Sequence, residues 1–213
     1  NGFMNYSGLD GSYIATLEKQ QAREANIDGV LPSGLLSLGL LNLSNPAAYF
    51  AALDNYRYTV GQKENIFRRK QQFVKMFGKG HEEELRDLLQ VDLAYNEATR
   101  ERDGLIVASL KSGSLCKVVL EKMMKEYARF DNQSSENYLK EYNLDREKTF
   151  RYYLFPADDL AAVYWGYIFE GIKCRCVLVE DNYLIFASSE SAVKSFVRDY
   201  VHGSVIRDAE WYR

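Results

Sequence analysis

Ser114-Leu-Cys-Lys117 carries the Ser-x-x-Lys spacing of serine acyl-transfer sites. One helical turn brings such a lysine to the serine hydroxyl, where it can serve as the base. The same spacing recurs in Ser191-Ala-Val-Lys194, at the equivalent place of a second, similar stretch, and no Ser-Asp-Asn or Lys-Thr-Gly partner accompanies it. A feature shared by two copies is better explained as a serine that caps a helix, followed by a solvated lysine. Asp158, Asp159 and Glu170 are candidate acid/base carboxylates. The first two fall where helix starts favour acids, so a capping role is preferred. Ser114 and the Asp158/Asp159 pair define the one enzymatic alternative, a hydrolase, and no catalytic residue is assigned.

The remaining chemical groups are sparse. Cys174 and Cys176 lie two apart on an expected strand, hence on one face, and a disulfide between them has poor geometry. Cys116 falls in an expected helix, and all three read as small buried hydrophobes. His81 and His202 are too far from them in sequence to complete a metal set. No metal site or cofactor is expected. Arg68-Arg69-Lys70, with Lys63, Lys75 and Lys79, forms a basic stretch, but Glu82–Glu84 follow directly and neutralisation is the preferred reading. Gly78-Lys79-Gly80 lacks the strand and spacing of a phosphate loop. Asn5, Asn42 and Asn132 each head a glycosylation-like triplet, a pattern that arises often by chance.

Tyrosine is the compositional excess, with 16 residues. It suits recognition surfaces because it offers large area and a polar tip at low entropic cost. Tyr138, Tyr142, Tyr152, Tyr153, Tyr164, Trp165 and Tyr167 cluster in sequence. Tyr164, Trp165 and Tyr167 are therefore the candidate ligand-binding residues, for a glycan or a peptide.

The elements that must position these groups repeat. Residues 174 to 187 read as a strand, a tight Asp181-Asn182 turn and a second strand. Ser188–Ser191 then cap a helix whose apolar positions are Ala192, Val193, Phe196, Val197, Tyr200 and Val201, ended by Gly203. Leu105-Ile-Val-Ala-Ser109 matches Leu184-Ile-Phe-Ala-Ser188 at all but one position, and the flanking pattern matches too: a turn over Glu97–Asp103 before it, and Ser112-Gly113-Ser114 opening a helix after it. Upstream, Leu35–Leu43 reads as a strand buried on both faces. Ser44-Asn45-Pro46 then starts a helix carrying Ala48, Tyr49, Ala52, Leu53 and Tyr56. Thr149–Phe155 is a strand, and Pro156–Asp159 opens a helix running to Gly171.

The chain thus reads β-α-β-β-α twice. Residues 1–34 are the tail of a preceding unit, with Asn1–Ser7 strand-like and Tyr13, Ile14 and Leu17 helical. Residues 35–130 are the first unit, with a helical insertion at 62–90. Residues 131–148 are a connector with a short helix near Glu136–Tyr142, and residues 149–213 are the second unit. The expected fold is α+β: a largely antiparallel sheet with helices mainly on one face. A ferredoxin-like arrangement, in which Thr149–Phe155 pairs back into the first unit, is the near neighbour.

With 213 residues, 46% hydrophobic and 27% charged, the composition is that of a globular protein. A net charge of -3 gives no basic excess for nucleic acid. No run approaches the roughly 18 apolar residues of a spanning helix. The abrupt ends suggest a piece of a longer chain, whose targeting signals would lie elsewhere.

Asn1-Gly-Phe3, the helix ending Glu18-Lys-Gln20, Val30-Leu-Pro32 and Leu38–Ser44 resemble a family of bacterial secreted or lipid-anchored proteins of unknown function. The stretch Val179–Ser188, its following helix and the ending near Ile206–Trp211 are similar too. The resemblance implies an α+β fold and an exported parent, periplasmic or anchored at the outer membrane as a lipoprotein. It supplies no catalytic residues. The expected function is a non-enzymatic interaction or scaffolding domain at the bacterial cell envelope, whose partner, protein or glycan, the sequence does not name.

Overall fold

The computed structural model describes residues 12–98 and 104–210. The strand-like Asn1–Ser7, the Asn5 triplet and most of the turn expected over Glu97–Asp103 lie outside them. Strands β1 (Leu35–Asn42), β2 (Leu89–Ala98), β3 (Gly104–Leu110), β4 (Leu139–Asn143), β5 (Thr149–Leu154), β6 (Cys176–Glu180) and β7 (Tyr183–Ala187) form one antiparallel sheet in the order β1-β2-β3-β7-β6-β5-β4. Between them run α1 (Pro46–Thr59), α2 (Lys63–Phe77), α3 (His81–Leu88), α4 (Gly113–Phe130), α5 (Leu160–Trp165) and α6 (Glu190–His202). The expected β-α-β-β-α order therefore appears twice, and the α+β class holds.

The two matching segments, residues 105–109 and 184–188, meet at the centre of the sheet. Leu105 pairs with Ala187, Ile106 with Phe186, Val107 with Ile185 and Ala108 with Leu184. All seven residues of β3 are buried, which explains a run with no polar alternation. Ile106, Ala108, Leu184 and Phe186 face a core built with α1 to α5. Leu105, Val107, Ile185 and Ala187 face a second core under α6. Helices thus lie mainly on one face, with α6 alone on the other. There it is joined by Ile27, Val30 and Leu31 and by a 3-10 turn at Ile206–Asp208. A bridge between Pro32 and Val205 and the Arg207–Asp28 ion pair (2.7 Å) fasten these two segments together.

The caps explain the helix starts. Ser112 Oγ accepts the Leu115 N–H, Ser189 Oγ accepts that of Ala192, and Asn45 Oδ1 accepts that of Ala48 ahead of Pro46. Gly203 closes α6 in the left-handed region at φ 69°. The Asp181-Asn182 turn does more than join two strands. Its Asn182 Oδ1 accepts the Gly113 N–H (2.8 Å) and its Asn182 carbonyl accepts the Leu110 N–H (2.8 Å), docking the turn on the start of α4.

Several expectations are corrected. β1 is not buried on both faces: among the described residues it is an edge strand, with Leu36 and Leu40 at 66% and 41% exposure. A continuous apolar run does not distinguish an edge from a centre. The 131–148 connector holds no helix at Glu136–Tyr142; apart from a 3-10 turn at Ser135–Asn137 it supplies the opposite edge strand, β4. An edge strand with polar outer residues reads as a loop. Thr149–Leu154 pairs with β4 and β6, not back into the first unit. The helix after Pro156 stops at Trp165, because Gly166 adopts φ 122° against the Tyr49 and Tyr13 hydroxyls, where a built Cβ would sit 2.6 and 3.0 Å from them. A 3-10 turn, Tyr167–Phe169, follows.

Cys174 and Cys176 do not share a face, for Cys174 lies in the core under α1 to α5 and Cys176 in that under α6. The Arg175 N–H donates to the Ala187 carbonyl while Cys176 also stands opposite Ala187. Two residues against one is a bulge, and it flips the alternation. Beside it, β5 and β6 pair only at Tyr153–Val177 and Leu154–Cys176. The strands then diverge, leaving an opening of about 520 Å³ lined by Phe150, Arg151, Leu178 and Glu180 beneath α4.

Candidate functional site

Neither Ser114 nor Ser191 is the cap of its helix. Ser112, not Ser114, caps α4, and Ser114 Oγ lies 3.0 Å from Ser112 Oγ. In the second unit Ser189, not Ser191, is the cap. Both serines of the Ser-x-x-Lys pattern therefore sit inside the first turn. Asp158 and Asp159 do not cap α5 through their side chains either: Asp159 holds the cap position without a side-chain bond. Asp159 pairs with Arg69, and Asp158 with Arg175 (3.3 Å) and Lys173 (3.7 Å). Glu170 is exposed just past the 3-10 turn. The basic stretch is neutralised in part by these distant acids, while Glu84 serves His81 and Lys122. Among the described residues no group of three His, Cys, Asp or Glu side chains is placed to hold a metal. The three cysteines are buried and free, and burial pushes each thiol up to about 12.

Tyr164, Trp165 and Tyr167 do not form one surface. Trp165 is 1% exposed, packed against Phe169 and Phe186 at ring separations of 6.0 and 5.7 Å. Tyr167 is exposed and meets the Tyr13 ring edge-on at 4.5 Å. Tyr164 is half-buried, its hydroxyl enclosed without a hydrogen-bond partner, and burial raises its pKa. Its ring carries the Lys70 ammonium at 5.6 Å. What Trp165 contributes is its carbonyl. That oxygen accepts from the Tyr49 hydroxyl (2.8 Å), which in turn stands 2.8 Å from the Tyr13 hydroxyl.

None of these residues lines the cleft that lies nearby, between α1 and α2. The two helices turn back on each other at Gly61, which takes φ 70°. The cleft encloses about 430 Å³ and is lined chiefly by Asp54, Arg57, Tyr58, Lys63, Phe67 and Lys70. Arg57 forms its floor at 5% exposure. One guanidinium nitrogen donates to the Ala162 carbonyl of α5 at 3.0 Å. The other, Nη1, is buried with no hydrogen bond, its nearest counter-charge being Asp54 Oδ1 at 3.5 Å. Burial lowers the Arg57 pKa, with Asp54 opposing. Lys70 reaches the same Asp54 oxygen at 3.6 Å, and Lys63 lies 4.9 Å over the Tyr58 ring. Two cations, Arg57 and Lys70, thus reach one carboxylate, and Lys63 lines the same cleft. Tyr58 and Phe67 stand exposed at the rim.

Sequence reasoning noted Lys63 and Lys70 but missed Arg57. Its signal was available: it follows Leu53 by four and Tyr49 by eight, on the apolar face of α1. Phe67, on α2, is solvent-facing. The chain matches no family model, no curated protein and no solved structure. Among the described residues no helix is long and apolar enough to cross a membrane.

Proposed function

We propose that this chain is a non-enzymatic interaction domain of an exported bacterial cell-envelope protein, and that it reads an acidic group on its partner through the α1–α2 cleft. The envelope setting rests on the sequence resemblance. The recognition reading rests on one observation above all, the Arg57 Nη1 buried at the cleft floor without a hydrogen bond. A buried donor met only by the Asp54 carboxylate at 3.5 Å keeps part of its desolvation cost, and a guanidinium donates two parallel bonds to a carboxylate. Lys63 and Lys70 add charge at the entrance, and Tyr58 and Phe67 offer apolar area beside it.

The test is titration with a hexaglutamate peptide, followed by NMR shifts of the α1 and α2 amides. Saturable shifts centred on Arg57, weakened at least about tenfold in Lys63→Glu/Lys70→Glu, support the reading; a tenfold change is about 1.4 kcal/mol. Shifts spread evenly over the surface, or unchanged by that double substitution, refute it.

A further inference from the structure

The two edges of the sheet are treated very differently by the sequence. β4, at one edge, is five residues long, carries Lys140 and Glu141, and holds a Glu141–Arg151 ion pair (2.9 Å) to its neighbour. Short length and charge are how proteins keep an edge from pairing with another chain. β1, at the other edge, is eight residues long, Leu-Leu-Ser-Leu-Gly-Leu-Leu-Asn, with no charge and no proline. Among the described residues no strand pairs with its outer side. Leu36 and Leu40 stand exposed along it.

We propose that β1 pairs antiparallel with β1 of a second copy of this chain, about a twofold axis at Gly39. The strand itself argues for that occupant. A bulge disturbs β1 between Leu35 and Ser37, and from Ser37 to Asn42 the register with β2 is regular. A twofold contact between identical strands places residue i against j and j against i. Opposed residues share a face, so the axis must pass through a residue, and Gly39 centres Ser37 to Leu41, all within the regular stretch. Leu38 then lies against Leu40 of the second copy and Leu40 against its Leu38, a patch of four leucines. Ser37 lies against Leu41. Glycine meets glycine on the axis, where any side chain would meet its own image. No like charges oppose one another along the strand, the feature that normally disfavours self-pairing. The two sheets become one, continuous through the pair, with backbone bonds supplying the attraction as in strand addition to a sheet edge.

A contact one strand wide is about 23 Å long and lies at the small end of stable interfaces. A reversible dimer is therefore expected, with a dissociation constant of about 1 µM to 1 mM. Sedimentation velocity across that range should show monomer passing to dimer, and protection of β1 amides against hydrogen exchange should rise with concentration. Leu40→Lys and, separately, Leu36→Lys should each weaken the dimer at least tenfold, while Lys140→Ala on the other edge leaves it unchanged. Two lysine variants guard against one of them failing to fold, which circular dichroism reports. Gly39→Cys, in a chain whose three native thiols are buried, should give a covalent dimer on mild oxidation. A chain that stays monomeric at about 1 mM, a dimer indifferent to both lysine substitutions, or one that Lys140→Ala disrupts overturns the proposal.

Discussion

Gly113→Ala separates helix propensity from packing. Gly113 is the first residue of α4, and alanine in place of glycine there would by propensity alone favour the helix by up to about 1 kcal/mol. The structure predicts the opposite. A Cβ built on Gly113 lies 1.8 Å from the Asp181 carbonyl oxygen, whereas carbon–oxygen contacts settle at about 3.3 Å or more. That oxygen belongs to backbone, so the whole Asp181-Asn182 turn must withdraw by about 1.5 Å. Withdrawal breaks the bonds from the Gly113 and Leu110 N–H groups to Asn182, each worth about 0.5–1.5 kcal/mol. Overpacking adds about 1–3 kcal/mol. Net of the propensity gain, the loss is about 3 kcal/mol. In a domain of this size that lowers Tm by about 6–12 °C. Urea unfolding followed by circular dichroism measures it, with an unchanged slope as the sign that only stability moved. Asn182→Ala alone should cost about 1–2 kcal/mol, and its cost should shrink in the Gly113→Ala background, where the bond is already broken. A Gly113→Ala chain as stable as the parent, or more so, refutes the docking of this turn on α4.

Other outcomes follow from the same structure. Tyr49→Phe should cost about 1–3 kcal/mol in urea unfolding, because it leaves the Trp165 carbonyl and the Tyr13 hydroxyl without their shared partner. Ser112→Ala should lower stability by about 1 kcal/mol through loss of the α4 cap, whereas Ser114→Ala should stay within about 0.5 kcal/mol and leave any reaction with serine-directed reagents unchanged. Cys116, Cys174 and Cys176 should resist a thiol reagent in the native state and react together on unfolding, since burial both encloses them and holds them as thiols. Burial raises the Glu180 pKa above its ordinary 4.5, so the native state binds that proton more tightly than the unfolded chain. Its contribution favours folding at low pH and is lost as pH rises from 4.5 through the raised value. Glu180→Gln should flatten that fall, as urea midpoints across the range will show.

Much of the architecture was legible because local signals agreed with it. Asn45-Pro46, Ser112, Ser189 and Gly203 mark helix ends through bonds made within a few residues, and Asp181-Asn182 marks its hairpin the same way. What sequence could not convey was which elements become neighbours. The apolar β1 and the central β3 look alike as strings, yet among the described residues one has a neighbour on a single side and the other on both. The likeness of residues 105–109 to 184–188 predicted two similar units but not that these strands pair, nor that their helices end on opposite faces. At the candidate site the aromatic residues singled out were near the cleft but not in it. Trp165 is core, and Tyr164 acts through Lys70. Arg57 escaped notice because a lone arginine on an apolar face has meaning only once Ala162, Asp54 and Lys70 are known to surround it.

The two-pair junction between β5 and β6 makes the outer hairpin a latch. Residues 131–154 are held to the rest of the sheet by Tyr153–Val177, Leu154–Cys176 and the Phe155–Arg175 backbone bond, with the Tyr152 hydroxyl tied to Glu190 of α6. The side chains add to these few backbone ties, for Tyr152 is buried in the core under α6 and Tyr138 packs on Tyr127 of α4. Behind the hairpin β6 carries Cys176-Val-Leu-Val179, a buried run without charge. In the folded chain the charged β4–β5 hairpin thus covers a central strand that carries no charge from Cys176 to Val179.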